Sequence, residues 1–379
     1  MPDTSPLDNA SNSSEYGPIP AYEGQESRFA AVLDLLQQGV SRRVFPAASV
    51  AITHRGKLVC LSAFGHFDYD ESSPAITSAS IFDLASLTKV LATTSMAMLL
   101  YERGFLDLDL PVISLMPEFR SDDPRRDHIT VRMLLAHSSG LPAHEKLYLR
   151  AKGKDDVIAA ACAAMLVADP GSKAEYSDIG FIILGAALER LAEETLDRFC
   201  QKEIFGPLGM LHTGFDPPLH WWESIPPTQD DQTYRHRVIQ GEVQDENASA
   251  MEGVAGHAGL FASAADVALF AHVMLSGEAE ILRPETVKLF TQRQASPTGT
   301  TRALGWDTPS SPSQSGKYFS QRSFGHLGYT GASLWIDPER ELSVTLLTNR
   351  TWPDCKNDAI KQFRPGFHDA VVEALEGSK

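Results

Sequence analysis

The feature that most constrains the fold is a change of hydrophobic period along the chain. Near the N-terminus Ala48, Val50 and Ile52 alternate toward a His54-Arg55-Gly56 turn, and Leu58 to Phe64 is again strand-like, which together read as a hairpin. Near the C-terminus the period of two returns from Ser333 to Ile336, turns at Asp337-Pro338, and continues as Leu342, Val344 and Leu346 alternating with Ser343, Thr345 and Leu347. From Ser86 onward, for roughly two hundred residues, the pattern between these ends is helical. Helical spacing also brackets the strands: Phe29, Val32, Leu33 and Leu36 before a stop at Gly39, and about Asn357 to Leu375 at the end. The simplest packing pairs the terminal strands into one antiparallel sheet, covers it with the two terminal helices, and sets the helical block beside it as a second lobe. The expected class is α+β in two lobes, with a cleft between them as the expected site.

Residues 1–24 are expected to form a flexible tail and 25–379 a single domain, its sheet lobe about 25–80 and 290–379 and its helical lobe about 81–289. Inside the helical block, helices are expected from Ser86 to Gly104, after Asp127-His128-Ile129-Thr130, from Asp155 to Val167, from Asp178 to about Glu193, and from Ala264 to Leu275. The stretch from Pro217 to Gly259, rich in Pro, Asp, Gln and Gly, reads as a long surface excursion. At 379 residues and 43% hydrophobic the chain can bury a large core, and a formal net charge of −16 disfavours nucleic acid and anionic membranes as partners. The first twenty residues carry neither a basic start nor an apolar core, so no signal peptide is visible. The expected location is the cytoplasm, with a periplasmic or secreted protein following from a longer native N-terminus. Cys60, Cys162, Cys200 and Cys355 are scattered without a C-x-x-C pair, which suits isolated thiols better than a disulfide frame or zinc site.

Three stretches carry chemistry. In Phe82-Asp83-Leu84-Ala85-Ser86-Leu87-Thr88-Lys89 a serine and a lysine stand three apart at the head of an apolar run. On a helix both point to one side, giving a nucleophile with a proton partner at the positive end of the helix. Alone, such a pair is most often a surface helix turn. Pro170 to Asp178 is a turn that delivers Tyr176 just before a helix. A phenol whose pKa is lowered by Lys89 is expected to take the serine proton; alone, the same stretch reads as a core tyrosine beside a helix cap. Phe324-Gly325-His326-Leu327-Gly328-Tyr329-Thr330-Gly331 is glycine-rich and opens a strand. Its backbone can approach a substrate closely, with the N–H of Tyr329 joining that of Ser86 in an oxyanion hole, although alone it is more often a hairpin turn.

In this order the three stretches resemble the serine β-lactamase and penicillin-binding superfamily, and more narrowly its class C β-lactamase-like group, which includes family VIII carboxylesterases and D-Ala-D-Ala carboxypeptidases. The resemblance runs from about residue 28 to the end and includes Leu134-Leu135-Ala136-His137-Ser138-Ser139-Gly140-Leu141-Pro142, Phe205-Gly206-Pro207-Leu208-Gly209-Met210, Gly256-His257-Ala258-Gly259-Leu260-Phe261 and Gly331-Ala332-Ser333-Leu334-Trp335-Ile336-Asp337-Pro338. It implies that Ser86 is the acylated nucleophile, that Lys89 and Tyr176 form the proton relay, and that His326 with the following backbone lines the opposite wall. Asp178, Gly328 and Tyr329 are the expected substrate-binding positions, with no cofactor and no metal, and a small-molecule ester or amide as the partner.

Two positions depart from that pattern. Asp178 stands where many relatives carry Asn, and a carboxylate there is expected to raise the pKa of Lys89 and leave Tyr176 as the base. His326 stands where the β-lactamases carry a permanently charged Lys. Together they disfavour anionic β-lactams and peptides. The expected activity is a carboxylesterase on short-chain esters; the alternative is a D-Ala-D-Ala carboxypeptidase or β-lactamase, and a non-catalytic penicillin-binding or sensor protein ranks last. Asp245, Glu246, Asn247 and His257 are expected to brace loops rather than hold a metal, and His137 to be structural. Ser138 and Ser139 lack the G-x-S-x-G surroundings of a rival nucleophile. Arg350 is a candidate for a substrate carboxylate, ranked below a structural role.

Overall fold

The computed structural model describes residues 16–277 and 281–377. The two hairpins predicted at the chain ends meet in one sheet of six strands, in the spatial order Ile19–Pro20, Lys57–Gly65, Ala47–His54, Leu342–Thr348, Ser333–Asp337, Phe324–Leu327. Every pairing is antiparallel except the first, in which Ile19 and Pro20 run parallel to Lys57 and Leu58. Within the segment read as a tail, residues 1–15 therefore lie outside the described residues, whereas Ile19–Pro20 belongs to the sheet edge.

The central register explains the alternation. Val50 faces Leu346 and Ile52 faces Val344, and this side of the sheet packs on Phe29, Val32 and Leu36 of the helix Ala30–Ser41 region and on Phe367 and Val371 of the helix Ile360–Glu376. Fully burying each such side chain contributes roughly 1.5–3 kcal/mol. The opposite side carries the small residues Ala47, Ser49 and Ala51, all fully buried, which lets the helix Ala264–Ser276 lie close against the two central strands.

The helical block is organised around one buried run: a 3₁₀ turn Ala85–Leu87, a π-helical segment Lys89–Thr94 and the α-helix Ser95–Glu102. Beside it lies Asp178–Ala192, capped by Ser177, whose Oγ accepts the N–H of Gly180 at 3.0 Å. The block also carries a three-stranded sheet of Ile81–Asp83, Leu260–Ser263 and Thr213–Phe215. The strand Ile81–Asp83 leads directly into the Ser86 turn.

Two expectations change. The helix expected to reach Val167 spans Lys154–Cys162, because the buried guanidinium of Arg126 takes the carbonyls of Cys162 and Ala164 and ends the ladder there. The stretch Pro217 to Gly259 is no simple surface excursion: Asp231, Asn247 and His257 are buried. Asp231 accepts the N–H groups of Thr233, Tyr234 and Arg235 and pairs with the Arg235 side chain, so side-chain hydrogen bonds replace the missing periodicity. Among the described residues no helix is long and apolar enough to cross a membrane.

Candidate active site

A cleft of about 760 Å³ is lined by Ser86, Tyr176 and Asp178 on one side and by His326, Gly328 and Tyr329 on the other. The seven sequence-predicted site residues are therefore brought together, Lys89 lying beneath Ser86.

Ser86 sits on the first turn of the buried run, and its Oγ lies 2.7 Å from Tyr176 Oη and 3.1 Å from Lys89 Nζ. The preceding residue, Ala85, has φ of +46°, a left-handed conformation that costs an L-residue roughly 1–2 kcal/mol. Lys89 is fully buried, and its ammonium has three acceptors: Ser86 Oγ, Asp178 Oδ1 at 2.7 Å and the carbonyl of His257 at 2.8 Å. Burial lowers the Lys89 pKa while the Asp178 carboxylate opposes that shift. Three acceptors match the three N–H donors of an ammonium.

Tyr176 is placed by its neighbours in sequence. Glu175 donates its N–H to the carbonyl of His137, Ser177 to His137 Nδ1 at 3.0 Å, and Asp178 to the carbonyl of Ala143. The His137 ring lies against the Tyr176 ring, centroids 4.8 Å apart. His137 is thus structural, as expected, and Ser138 and Ser139 are buried beside it. The Tyr176 hydroxyl donates to Asp178 Oδ1 at 2.9 Å, which leaves its oxygen free to accept from Ser86. Asp178 thus turns one oxygen inward to both Lys89 and Tyr176, and its Oδ2 lies 3.8 Å from His144 Nδ1.

The pKa directions correct the sequence reading. Tyr176 is pushed well above the ordinary phenol value, first by burial and then by the Asp178 charge, so it rests as a neutral phenol rather than a phenolate. Lys89 is lowered, not raised, because burial outweighs its carboxylate partner. Burial alone would raise Asp178, but Lys89, with His144, holds it well below the usual carboxylate range.

On the opposite wall His326 lies on the strand Phe324–Leu327, paired with Leu334 and on the same side as buried Phe324. Its Nδ1 lies 2.8 Å from the carbonyl of Leu327. A carbonyl can only accept, so Nδ1 carries the proton and Nε2 is an acceptor, with no partner among the described residues. Burial, then the charges of Lys89 and Arg302, push this imidazole down to about 3. Gly328 has a steric reason to be glycine: a Cβ there would meet the Leu84 carbonyl at 2.5 Å. That approach sets the backbone of Gly328 and Tyr329 beside the Ser86 turn. Arg350 donates to the carbonyls of Tyr329, Cys355 and Asn357, the structural role ranked first for it.

Sequence reading missed Arg302 and Asp307. They form an ion pair across a short turn that bridges to the edge of the Phe324–Leu327 strand, and the Arg302 guanidinium lies 5.5 Å from the Tyr176 ring centroid. Neither stands in a periodic or motif context. Asp245 and His257 brace one another, Nε2 to Oδ1 at 2.9 Å, and Asn247 holds the carbonyl of Glu145 and the N–H of Tyr148.

A two-lobed α+β fold with this serine, lysine and tyrosine cluster in its cleft defines a protein of the serine β-lactamase and penicillin-binding superfamily. Residues 32–362 match the Beta-lactamase family, to which the chain belongs. It is similar to the N-acetylmuramyl-L-alanine amidase of Bacillus subtilis (strain 168), 33% identical over 376 residues that cover 87% of this chain and 85% of the relative. It is also similar to a protein of Escherichia coli (strain K12) provisionally named a D-alanyl-D-alanine carboxypeptidase, 30% identical over 361 residues covering 84% and 82%. Among solved structures it shares its fold with EstCE1, a hydrolase with promiscuous acyltransferase activity, at a TM-score of 0.76, 23% identity and coverage of 92% and 99%. The LovD6 mutant of simvastatin synthase from Aspergillus terreus follows at a TM-score of 0.72, 22% identity and coverage of 92% and 98%.

Proposed function

We propose that the protein is a serine hydrolase that forms an acyl-enzyme on Ser86 and acts first of all as a carboxylesterase on short-chain esters. The observation that carries this reading is the contact of Ser86 Oγ with both Tyr176 Oη and Lys89 Nζ. Ser86 Oγ attacks the carbonyl carbon as its proton passes to Lys89 Nζ, reacting in the amine form that burial favours, while the neutral Tyr176 hydroxyl, 2.7 Å away, holds Ser86 Oγ in line. The oxyanion lies between the N–H groups of Ser86 and Tyr329. The proton then returns along the same path to the leaving alkoxide, the carbon–oxygen bond breaks, and water repeats the sequence to release the acid. A neutral His326 supplies no cation for an anionic substrate, which supports the ester.

Arg302 favours a second reading, hydrolysis of a peptide ending in a free carboxylate. It brings a guanidinium, paired with Asp307, into the cleft, and the relatives of highest identity named above carry amidase and carboxypeptidase names. Rates on a p-nitrophenyl short-chain ester, nitrocefin and an acylated D-Ala-D-Ala peptide, for wild type and Ser86→Ala, separate the readings. Ester turnover that exceeds the other two and falls roughly 10³-fold or more in Ser86→Ala is expected. Preferred peptide turnover moves the protein to the second reading, and turnover that survives Ser86→Ala removes both.

A further inference from the structure

The residue before the nucleophile is held in a conformation it disfavours, and two side chains outside the relay hold it there. Asp83 Oδ1 accepts the N–H of Ala85 at 2.8 Å, and Thr88 Oγ1 donates to the carbonyl of Ala85 at 2.6 Å. Ala85 is therefore gripped through both of its peptide groups, and its φ of +46° lies between them.

Each grip is anchored elsewhere. Asp83 Oδ2 accepts the N–H of Gln244 at 2.7 Å, and the Asp83 carbonyl accepts from Thr330 Oγ1 at 2.8 Å. One residue thus joins the Ser86 turn to the loop that carries Asp245 and to the loop that carries Tyr329. Thr88 Oγ1 accepts the N–H of Leu260 at 3.1 Å, on the strand that pairs with Ile81–Asp83.

The chemistry of position 83 is specific. Two N–H donors arrive on two separate oxygens, and only a carboxylate offers an acceptor to both; an amide would turn its own NH₂ toward one of them. Asp83 is 2% exposed, and among the described residues no cation pairs directly with its carboxylate. Burial pushes it up to about 6; the charge of Asp245 adds to this, while Arg235 and the two N–H groups oppose it. A buried acid with this penalty is an expensive way to close a turn that a serine or asparagine could close.

We propose that Asp83 and Thr88 are positioning residues that keep Ala85 left-handed and thereby set Ser86 Oγ against Tyr176 and Lys89. The proposal rests on Ser86 as the nucleophile. If Ala85 relaxes to negative φ, the chain enters Ser86 in a different direction and the 2.7 Å contact with Tyr176 is lost. The cleft walls that hold the substrate stay, so turnover falls while binding does not.

The test compares Asp83→Asn, Asp83→Asn with Ala85→Gly, Thr88→Val and Thr88→Ser in the full chain. It reads kcat and KM on a p-nitrophenyl ester, labelling of Ser86 by a fluorophosphonate, and thermal unfolding. Asp83→Asn is expected to lower kcat roughly 10- to 100-fold with KM within about two-fold of wild type. Glycine takes positive φ without a Cβ penalty, so adding Ala85→Gly is expected to recover kcat about five-fold or more. Thr88→Val is expected to follow Asp83→Asn more mildly, and Thr88→Ser, which keeps the hydroxyl, to stay near wild type. Wild-type kcat in Asp83→Asn overturns the proposal, as does a loss that tracks the unfolded fraction and is not recovered by Ala85→Gly. If Asp83→Asn does not fold, Thr88→Val with and without Ala85→Gly makes the same comparison. Failure of the nucleophile reading would show in the wild type, as an unlabelled Ser86; failure of the clamp leaves wild-type labelling intact.

Discussion

The two walls of the cleft are built on opposite plans. On the helical-lobe wall the charges are compensated inside the protein: Lys89 meets three acceptors, and Asp178 Oδ1 answers both Lys89 and Tyr176. On the sheet-lobe wall His326 is tied down through Nδ1 only, its Nε2 has no partner among the described residues, and Tyr329 is half exposed. The first wall is a closed network, so removing one member uncovers another. The second keeps hydrogen-bonding capacity for what enters the cleft, so a change there acts on binding before it acts on stability.

The largest effect is expected from Lys89→Met, which removes the ammonium at the centre of the closed wall. It leaves the Asp178 carboxylate buried without its partner, at a cost of about 3–5 kcal/mol, and activity falls with it. Denaturant unfolding should show that loss, and Lys89→Met with Asp178→Asn should recover part of the stability without recovering activity. Recovery of activity would mean that Lys89 serves only to balance Asp178.

Tyr176→Phe removes one hydroxyl and leaves the ion pair intact. We expect kcat to fall roughly 10²- to 10⁴-fold while stability changes by only about 1 kcal/mol. A large stability loss with modest loss of kcat would make Tyr176 a core residue, the bland reading of its sequence.

His326→Gln should give the smallest effect: a change in KM that exceeds the change in kcat. Its protonation also has a readable sign. His326 and His368 are both pushed down to about 3 by burial, below the unfolded value of about 6.5. Between those values the unfolded chain binds protons that the folded one does not, so stability falls as pH drops below about 6.5. At pH 5 each imidazole accounts for roughly 2 kcal/mol of that fall, and His326→Gln should remove one share. Denaturant titrations at pH 7 and pH 5 check this. An unchanged pH dependence in His326→Gln would show that this wall is open to solvent rather than buried.

The fold was legible because the period-two segments are the central strands themselves: Val50, Ile52, Val344 and Leu346 form one packed side. The Ser86–Lys89 contact was legible because the two residues are local in sequence, and the Tyr176 and His326 stretches carry turn chemistry. What could not be read depends on distant neighbours. The direction of the Lys89 and Tyr176 pKa shifts is decided by burial under the whole lobe, which spacing does not reveal. The end of the helix at Cys162 is set by Arg126, far back in the chain. Arg302 and Asp307 come from a turn with no periodicity, and the loop that holds Asp231, Asp245 and His257 is ordered by side-chain hydrogen bonds that composition cannot distinguish from a surface excursion.

The most direct measurement is peptide mapping by mass spectrometry after brief reaction with a p-nitrophenyl ester and acid quench, on wild type and Tyr176→Phe. The closed-wall account predicts one acyl adduct, on the peptide that contains Ser86, formed quickly in wild type and far more slowly in Tyr176→Phe. An adduct on the peptide that contains Ser138 and Ser139, or turnover with no adduct on Ser86, would contradict it.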